Sequence, residues 1–198
     1  MALNHIFLAS LWIAYCVIHS LLASISIKKK IQQKVGYRFK YYRLFYTIFS
    51  FVGLIALTWL QISLPSIRLV QSATLLRIIG VIISMSGIVL MLICIKKYFM
   101  SLSGFKTLIK EESSTELIIT GVHRYVRHPL YLGTFIFLWG SLLIFPLLSW
   151  LIAVLIITIY TVWAIKFEED KLLLEYGSQY KIYMEQVPKL IPWRRSLQ

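Results

Sequence analysis

Residues 127–169 read RHPLYLGTFIFLWGSLLIFPLLSWLIAVLIITIYTVWAIKFEE. Two uncharged apolar runs, residues 130–145 and 147–167 up to Lys166, are parted by Pro146, the break expected between the helices of a tight hairpin. The second run is long enough to cross a bilayer core of about 30 Å, whereas the first, at 1.5 Å per residue, rises only about 24 Å. Its start, Arg127-His128-Pro129, is therefore expected to dip below the headgroups. At the other end stand Glu168 and Glu169. Charges at such depth cost several kcal/mol unless they are paired or used, so both ends are candidate functional positions.

The rest of the chain agrees with a membrane class. Of its 198 residues 59% are hydrophobic, with a mean hydropathy of +0.75, well above the roughly 45–50% apolar content of soluble domains. Three further runs, residues 6–27, 44–64 and 75–95, bring the expectation to five spans in one all-α polytopic domain covering residues 1–198. Met1-Ala2-Leu3-Asn4 carries no basic region, so the first run reads as a retained span rather than a signal peptide. The basic loop after it holds Lys28, Lys29, Lys30, Lys34, Arg38, Lys40 and Arg43. A polar stretch from Lys96 to Arg127 carries Lys106, Lys110, Glu111, Glu112, Glu116 and Arg124.

Placing both stretches and the C-terminus in the cytoplasm leaves only Arg68 and Arg77, of 21 Lys and Arg, near the outer face. The expected orientation is N-terminus outside and C-terminus inside. A net charge of +13 in so apolar a chain points to cytoplasmic loops and anionic lipid headgroups, and disfavours nucleic acid. Cys16 and Cys94 sit inside apolar runs and read as small buried hydrophobes, not as a disulfide framework. No set of metal ligands is read from the chain. Ser84, Gly87 and Gly80 on the third span offer a close-packing helix face.

The candidate site can be read in two ways. Pro129 suits the first turn of a helix, whose following amides can bind an anion, yet basic residues flanking a span also anchor it to lipid phosphate. The chain has eight acidic residues and none before Glu111. Glu168 and Glu169, about 100° apart on a helix, cannot both face solvent and lipid comfortably. Either a ligand cation explains them or they pair with Lys166 and Lys171 on a solvated helix. Tyr180 and Tyr183 share a helix face and could wall a ring-shaped ligand or join an interfacial aromatic belt.

Gly121-Val122-His123-Arg124-Tyr125-Val126-Arg127-His128-Pro129-Leu130-Tyr131-Leu132-Gly133, then Glu168-Glu169, Tyr176-Gly177, Tyr180, Tyr183, Val187-Pro188 and Ile191-Pro192, resemble the isoprenylcysteine carboxyl methyltransferase and phospholipid methyltransferase superfamily. The resemblance covers about residues 117–193 and implies a cytoplasmic-side S-adenosylmethionine site in the hairpin and C-terminal tail. It implies cofactor roles for His128, Pro129, Tyr131, Gly133, Glu168, Glu169, Tyr180 and Tyr183. His123 departs from an often aromatic position. Tyr15, Ile18-His19-Ser20 and Tyr42-Arg43-Leu44-Phe45-Tyr46 look closer to the thiol S-methyltransferase branch, which puts the acceptor side in residues 1–95.

Methyl transfer from a sulfonium asks the protein chiefly for positioning, in a site shielded from water. Glu168 or Glu169 could take the cofactor's ammonium, and the amides after Pro129, or Arg124, Arg127 or His128, its carboxylate. Its adenine could rest on Tyr131, Tyr180 or Tyr183. A thiol acceptor would need a base, for which His19 and His123 are candidates, and Arg127 completes the expected catalytic group. The acceptor, a small molecule or a lipid bearing a thiol, carboxylate or amine, is expected to enter from the bilayer. Two other classes stay open: a sterol-type membrane reductase using NADPH, and a non-catalytic membrane assembly factor.

Overall fold

Large apolar side chains point outward from this protein. In the computed structural model, which describes residues 2–71, 73–102, 117 and 119–193, Leu3, Ile6, Phe7, Ile13, Val52, Ile62, Ile82, Val89 and Ile159 are all exposed. A water-soluble domain would bury them; on long helices they call for lipid. The helices are α1 (Ala2–Ala23), α2 (Ile25–Val35), α3 (Tyr42–Ser63), α4 (Thr74–Leu102), α5 (Pro129–Ile144), α6 (Leu148–Tyr176) and α7 (Ser178–Gln186). Short 3₁₀ turns occupy Gly36–Tyr41 and Gly121–Arg124. No β-strand forms among the described residues, only an isolated bridge between Arg68 and Leu147.

Four helical runs are long and apolar enough to cross a membrane: Ala2–Ala23, Ile25–Ser63, Thr74–Lys96 and Leu148–Tyr176. The remaining expected span, the run at 130–145, is the shorter apolar helix Pro129–Ile144 of 16 residues. The expected basic loop after α1 is instead helical. Ser24 Oγ accepts from Ile27 N at 3.3 Å to cap α2, and Ile27, Ile31 and Val35 recur every four residues along one face. Of the polar stretch before Arg127, Lys106, Lys110, Glu111, Glu112 and Glu116 lie outside the described residues, as do Arg194 and Arg195.

The chain divides into two compact units. The first takes in Met1–Gln71 and Phe145–Ile157. Its core is Leu8, Trp12 and Ala153, flanked by Tyr15, Leu57, Ile156 and Ile157. The buried Trp12 Nε1–H donates to Gln61 Oε1 at 2.8 Å. Ser66 Oγ accepts from Ser149 N at 2.9 Å and lies 3.1 Å from His5 Nε2, capping the start of α6.

The second unit takes in Ser72–Lys97, Ser113–Ile144 and Thr158–Gln198. Here α4 and α5 touch backbone to backbone. A Cβ added to Gly87 would stand 2.5 Å from Phe137 N, one on Gly140 2.7 Å from Ser84 N, and one on Gly80 2.8 Å from Gly140 O. Ser84 Oγ–H donates to Phe137 O at 3.4 Å. The small-residue face read from Gly80, Ser84 and Gly87 is therefore the α4–α5 packing face. Cys16 and Cys94 are buried.

Candidate active site

The start of α5 is held by its own polar ends. Arg127 N and His128 N donate to Pro188 O and Lys189 O at 2.9 and 3.1 Å, so the segment after α7 lies alongside the segment before α5. That return is made possible by Gly177, whose φ of +55° separates α6 from α7 at little steric cost. Tyr180, Tyr183 and Val187 then form a buried cluster with Leu117, Ile119, Leu172, Leu173, Tyr176 and Met184. Tyr180 and Tyr183, read as a candidate wall for a ring-shaped ligand, pack edge to face, 5.8 Å apart, inside this core. Tyr183 Oη–H donates to His123 O at 2.7 Å.

Under this cluster lies a buried charge network. Arg127 Nε and Nη2 both reach Glu169 Oε1 at 2.9 Å, while Nη1 donates to Met184 O and Val187 O. His128 Nε2 is 3.1 Å from the same Oε1, and Lys189 Nζ is 2.8 Å from Oε2. Arg127, His128 and Glu169 are buried. An isolated buried ion would be costly, but here each charge meets an opposite charge and the remaining donors meet carbonyls. Burial pushes the Glu169 carboxyl upward, yet the hydrogen bonds from Lys189, His128 and Arg127 outweigh it and hold Glu169 below the usual carboxylate range. Burial lowers the His128 pKa, against the pull of Glu168 and Glu169, so the imidazole is neutral at pH 7.

The carboxylate at Oε1 can only accept, so neutral His128 carries its proton on Nε2 and presents the Nδ1 lone pair. Nδ1 lies 3.9 Å from Glu168 Oε2, beyond hydrogen-bond reach, and the Glu168 side chain is 45% exposed against 5% for Glu169. Tyr131 is partly exposed, with its ring 5.7 Å from that of His128. The α5 ladder begins with Leu132 N donating to His128 O at 3.0 Å, so the amides of Leu130 and Tyr131 precede it. Tyr180 Oη is buried and meets no partner at hydrogen-bond geometry. Burial and the Glu169 charge raise its pKa, and the nearby Arg127 offsets only part of the rise.

The expected residues thus fall into groups. Arg127, His128, Glu168, Glu169 and Tyr180 come together, with Pro129 and Tyr131 adjoining. Arg124 is exposed on the Gly121–Arg124 turn. His123 Nδ1 donates to Arg127 O at 3.1 Å, bracing that turn. Gly133 faces α4: its Cβ would stand 2.9 Å from Gly87 O and from Met91 Cγ. His19 belongs to the first unit, with Nδ1 3.0 Å from Ser50 Oγ and Nε2 2.7 Å from Tyr46 Oη. Lys189 was not singled out in the sequence, although a lysine one residue past Pro188 is a cation within reach of any carboxylate that the tail covers.

Long apolar helices with large exposed hydrophobic side chains define an integral membrane protein, and a buried polar network stands at the start of one of its helices. The phospholipid methyltransferase family profile matches residues 75–179, which contain nearly all of α4, the whole of α5 and α6, both glutamates and the Arg-His-Pro segment. The chain belongs to this family of membrane methyltransferases. It is 36% identical over 86 residues to a methanethiol S-methyltransferase of Crocosphaera subtropica, covering 42% of this chain and 32% of that protein. Methanethiol S-methyltransferase 1 of Bradyrhizobium diazoefficiens is 36% identical over 78 residues, 38% of this chain and 26% of its own. The Mycobacterium tuberculosis methanethiol S-methyltransferase is 35% identical over 74 residues, 36% and 29% respectively. The chain thus spans about a third or less of these relatives' length. No solved structure matches it.

Proposed function

We propose that the chain is an S-adenosylmethionine-dependent integral membrane methyltransferase whose cofactor is held by the second unit, around the start of α5 and the polar end of α6. The observation that carries this reading is the pair His128 Nδ1 and Glu168 Oε2. They are two acceptors 3.9 Å apart, one on a neutral ring and one on a half-exposed carboxylate. An ammonium, with three donors on one atom, is the group that two such acceptors suit. The amides of Leu130 and Tyr131, with Arg124 nearby in sequence, suit a carboxylate. Ammonium and carboxylate together are the amino-acid end of the cofactor.

S-adenosylmethionine, when bound, would supply an electrophilic methyl on sulfur. The protein's part is to bind, orient and exclude water. Glu169 holds Arg127 and the His128 tautomer, which keeps Nδ1 available as an acceptor; Arg127 and Glu169 are positioning residues. The partly exposed Tyr131 is the aromatic surface nearest His128 for the ligand. The names of the relatives favour a thiol acceptor, for which His19 or His123 would serve as base; a lipid amine, the acceptor the family name suggests, is the second possibility. The positive-inside count supports an outside N-terminus and a cytoplasmic C-terminus.

The test is calorimetric binding of S-adenosylhomocysteine and, separately, NADPH to detergent-purified protein, with Glu168→Gln as control. S-adenosylhomocysteine should bind and weaken in the variant. Saturable NADPH binding with none for S-adenosylhomocysteine would establish the reductase reading instead, and binding of neither the assembly-factor reading.

A further inference from the structure

His19 stands on α1 about one turn before that helix ends, among the apolar Val17, Ile18, Leu21 and Leu22. An ionisable side chain within a membrane-length apolar helix marks function by default. Its ring is caged. Tyr46 Oη lies 2.7 Å from Nε2 and 3.3 Å from Nδ1, and Ser50 Oγ lies 3.0 Å from Nδ1. The rings of Tyr46 and Tyr15 stand 5.0 and 5.9 Å from the imidazole, tilted by 37° and 31°. Tyr15 Oη–H donates to Ser50 O at 2.8 Å, and Gly53 leaves room for the Tyr15 ring: a Cβ there would stand 2.9 Å from Tyr15 Cε2. We propose that this cage is a proton-taking centre for a neutral thiol, in which Tyr46 is the catalytic residue that touches the acceptor and His19 stores the proton. The assignment rests on the methyltransferase reading of the second unit.

A neutral imidazole has one N–H and one lone pair, so one of the two hydroxyls donates to it and the other accepts. The phenol is the more acidic hydroxyl and makes the shorter contact, so Tyr46 Oη–H donates to Nε2 and Nδ1–H donates to Ser50 Oγ. Tyr46 is only partly buried, which leaves it a face for an acceptor arriving from the bilayer. A thiol S–H donates to Tyr46 Oη. As the S–H bond breaks, its proton goes to Oη and the phenolic proton passes to Nε2. The thiolate's electron pair takes the methyl, and the cofactor's S–C bond breaks with its pair left on the cofactor sulfur. The positive charge thus leaves the sulfonium and ends on the imidazolium, which later returns the proton to water. The two tyrosine faces beside the ring favour that imidazolium. Nδ1–H stays on Ser50 Oγ throughout, so Ser50 and Tyr15 are positioning residues. The centre suits a thiol better than a lipid amine: an ordinary thiol, at about 8.5, lies roughly two pH units above an ordinary imidazole, and an ordinary ammonium, at about 10.4, nearly four. Residues 1–71 and 145–157 also contain no Asp or Glu to receive an ammonium.

The test compares methyl transfer by the full chain in detergent to an alkanethiol, which must lose its proton, and to an aryl thiol, which is ionised at neutral pH and needs no base. Tyr46→Phe keeps the ring and removes the relay, so kcat on the alkanethiol should fall about 100-fold or more and on the aryl thiol less than about threefold. The alkanethiol deficit should close as pH rises past the thiol's own value of about 8.5, where the thiolate forms unaided. His19→Gln still bonds both hydroxyls but takes no proton, and should show the same selectivity. S-adenosylhomocysteine affinity, read by calorimetry on the same preparations, should match the wild type in both variants. An equal loss on the two thiols would make the cage purely structural and overturn the proposal, as would full alkanethiol activity in Tyr46→Phe. A wild type that binds S-adenosylhomocysteine but methylates phosphatidylethanolamine and neither thiol overturns the thiol centre alone. A wild type that binds no S-adenosylhomocysteine overturns the methyltransferase reading and the centre with it.

Discussion

Glu168 and Glu169 are neighbours in sequence, yet the structure gives them opposite environments, and conservative substitution should separate them. Glu169→Gln removes the charge that compensates buried Arg127. It also puts an amide donor where either the Lys189 ammonium or the Arg127 and His128 donors now point. Breaking a buried pair from one side costs about 3–5 kcal/mol. Gln keeps one acceptor oxygen, and Arg127 keeps its bonds to Met184 O and Val187 O, so the lower end, about 3 kcal/mol, is expected. The Lys189 contact adds little because that side chain is 45% exposed and screened. For a chain of this size such a loss lowers Tm by roughly 6–12 °C.

Glu168→Gln should leave Tm within about 2 °C, since changes at half-exposed positions away from such networks stay near ±0.5 kcal/mol. On the proposed function its effect should fall on ligand binding: loss of a charged hydrogen bond of about 1.5–3 kcal/mol, a weakening of S-adenosylhomocysteine by roughly 10- to 150-fold. Thermal unfolding in one detergent, with calorimetry on the same preparations, reads both quantities. Equal loss of Tm in the two variants would refute the division of roles, and so would a Glu169→Gln protein that melts like the wild type.

Acidification should destabilise the same network in two stages. His128 has a folded pKa below its ordinary 6.5 and Glu169 one below its ordinary 4.5. The contribution of each is complete above the ordinary value and lost as pH falls toward the folded one. Tm should therefore hold steady above about pH 6.5, decline below it, and decline further under about pH 4.5; a rise in Tm between pH 6.5 and 5 would contradict the buried neutral histidine. At the α4–α5 face, Gly87→Ala would force a methyl to 2.5 Å from Phe137 N and 2.6 Å from Gly133 O, both backbone atoms that cannot swing away. A loss of about 1–3 kcal/mol is expected in unfolding measurements, and wild-type stability in that variant would show that the two helices part readily.

What the sequence could tell follows the range of the interaction. Gly80, Ser84 and Gly87 are small residues at helical spacing, a local pattern, and they are the residues that meet α5. The apolar runs gave the long helices for the same reason. Residues 25–35 read as part of a basic loop because four lysines hide the every-fourth-residue spacing of Ile27, Ile31 and Val35, and the structure shows a helix there, capped by Ser24. The Arg127–Glu169 pair joins residues 42 apart, and no periodicity links them. The carbonyls of Met184 and Val187 that complete the guanidinium's bonding are invisible in any list of side chains.

Helical geometry nevertheless required one thing of the two glutamates. Adjacent positions about 100° apart cannot share a buried pocket, so burying one carboxylate sets the other at the rim. Which one goes inside is decided by Arg127, His128 and Lys189, three donors delivered by two separate stretches of chain to the face of α6 that carries Glu169. Glu168, left with a single acceptor of His128 opposite it at 3.9 Å, is the carboxylate that the ammonium of the proposed cofactor would meet.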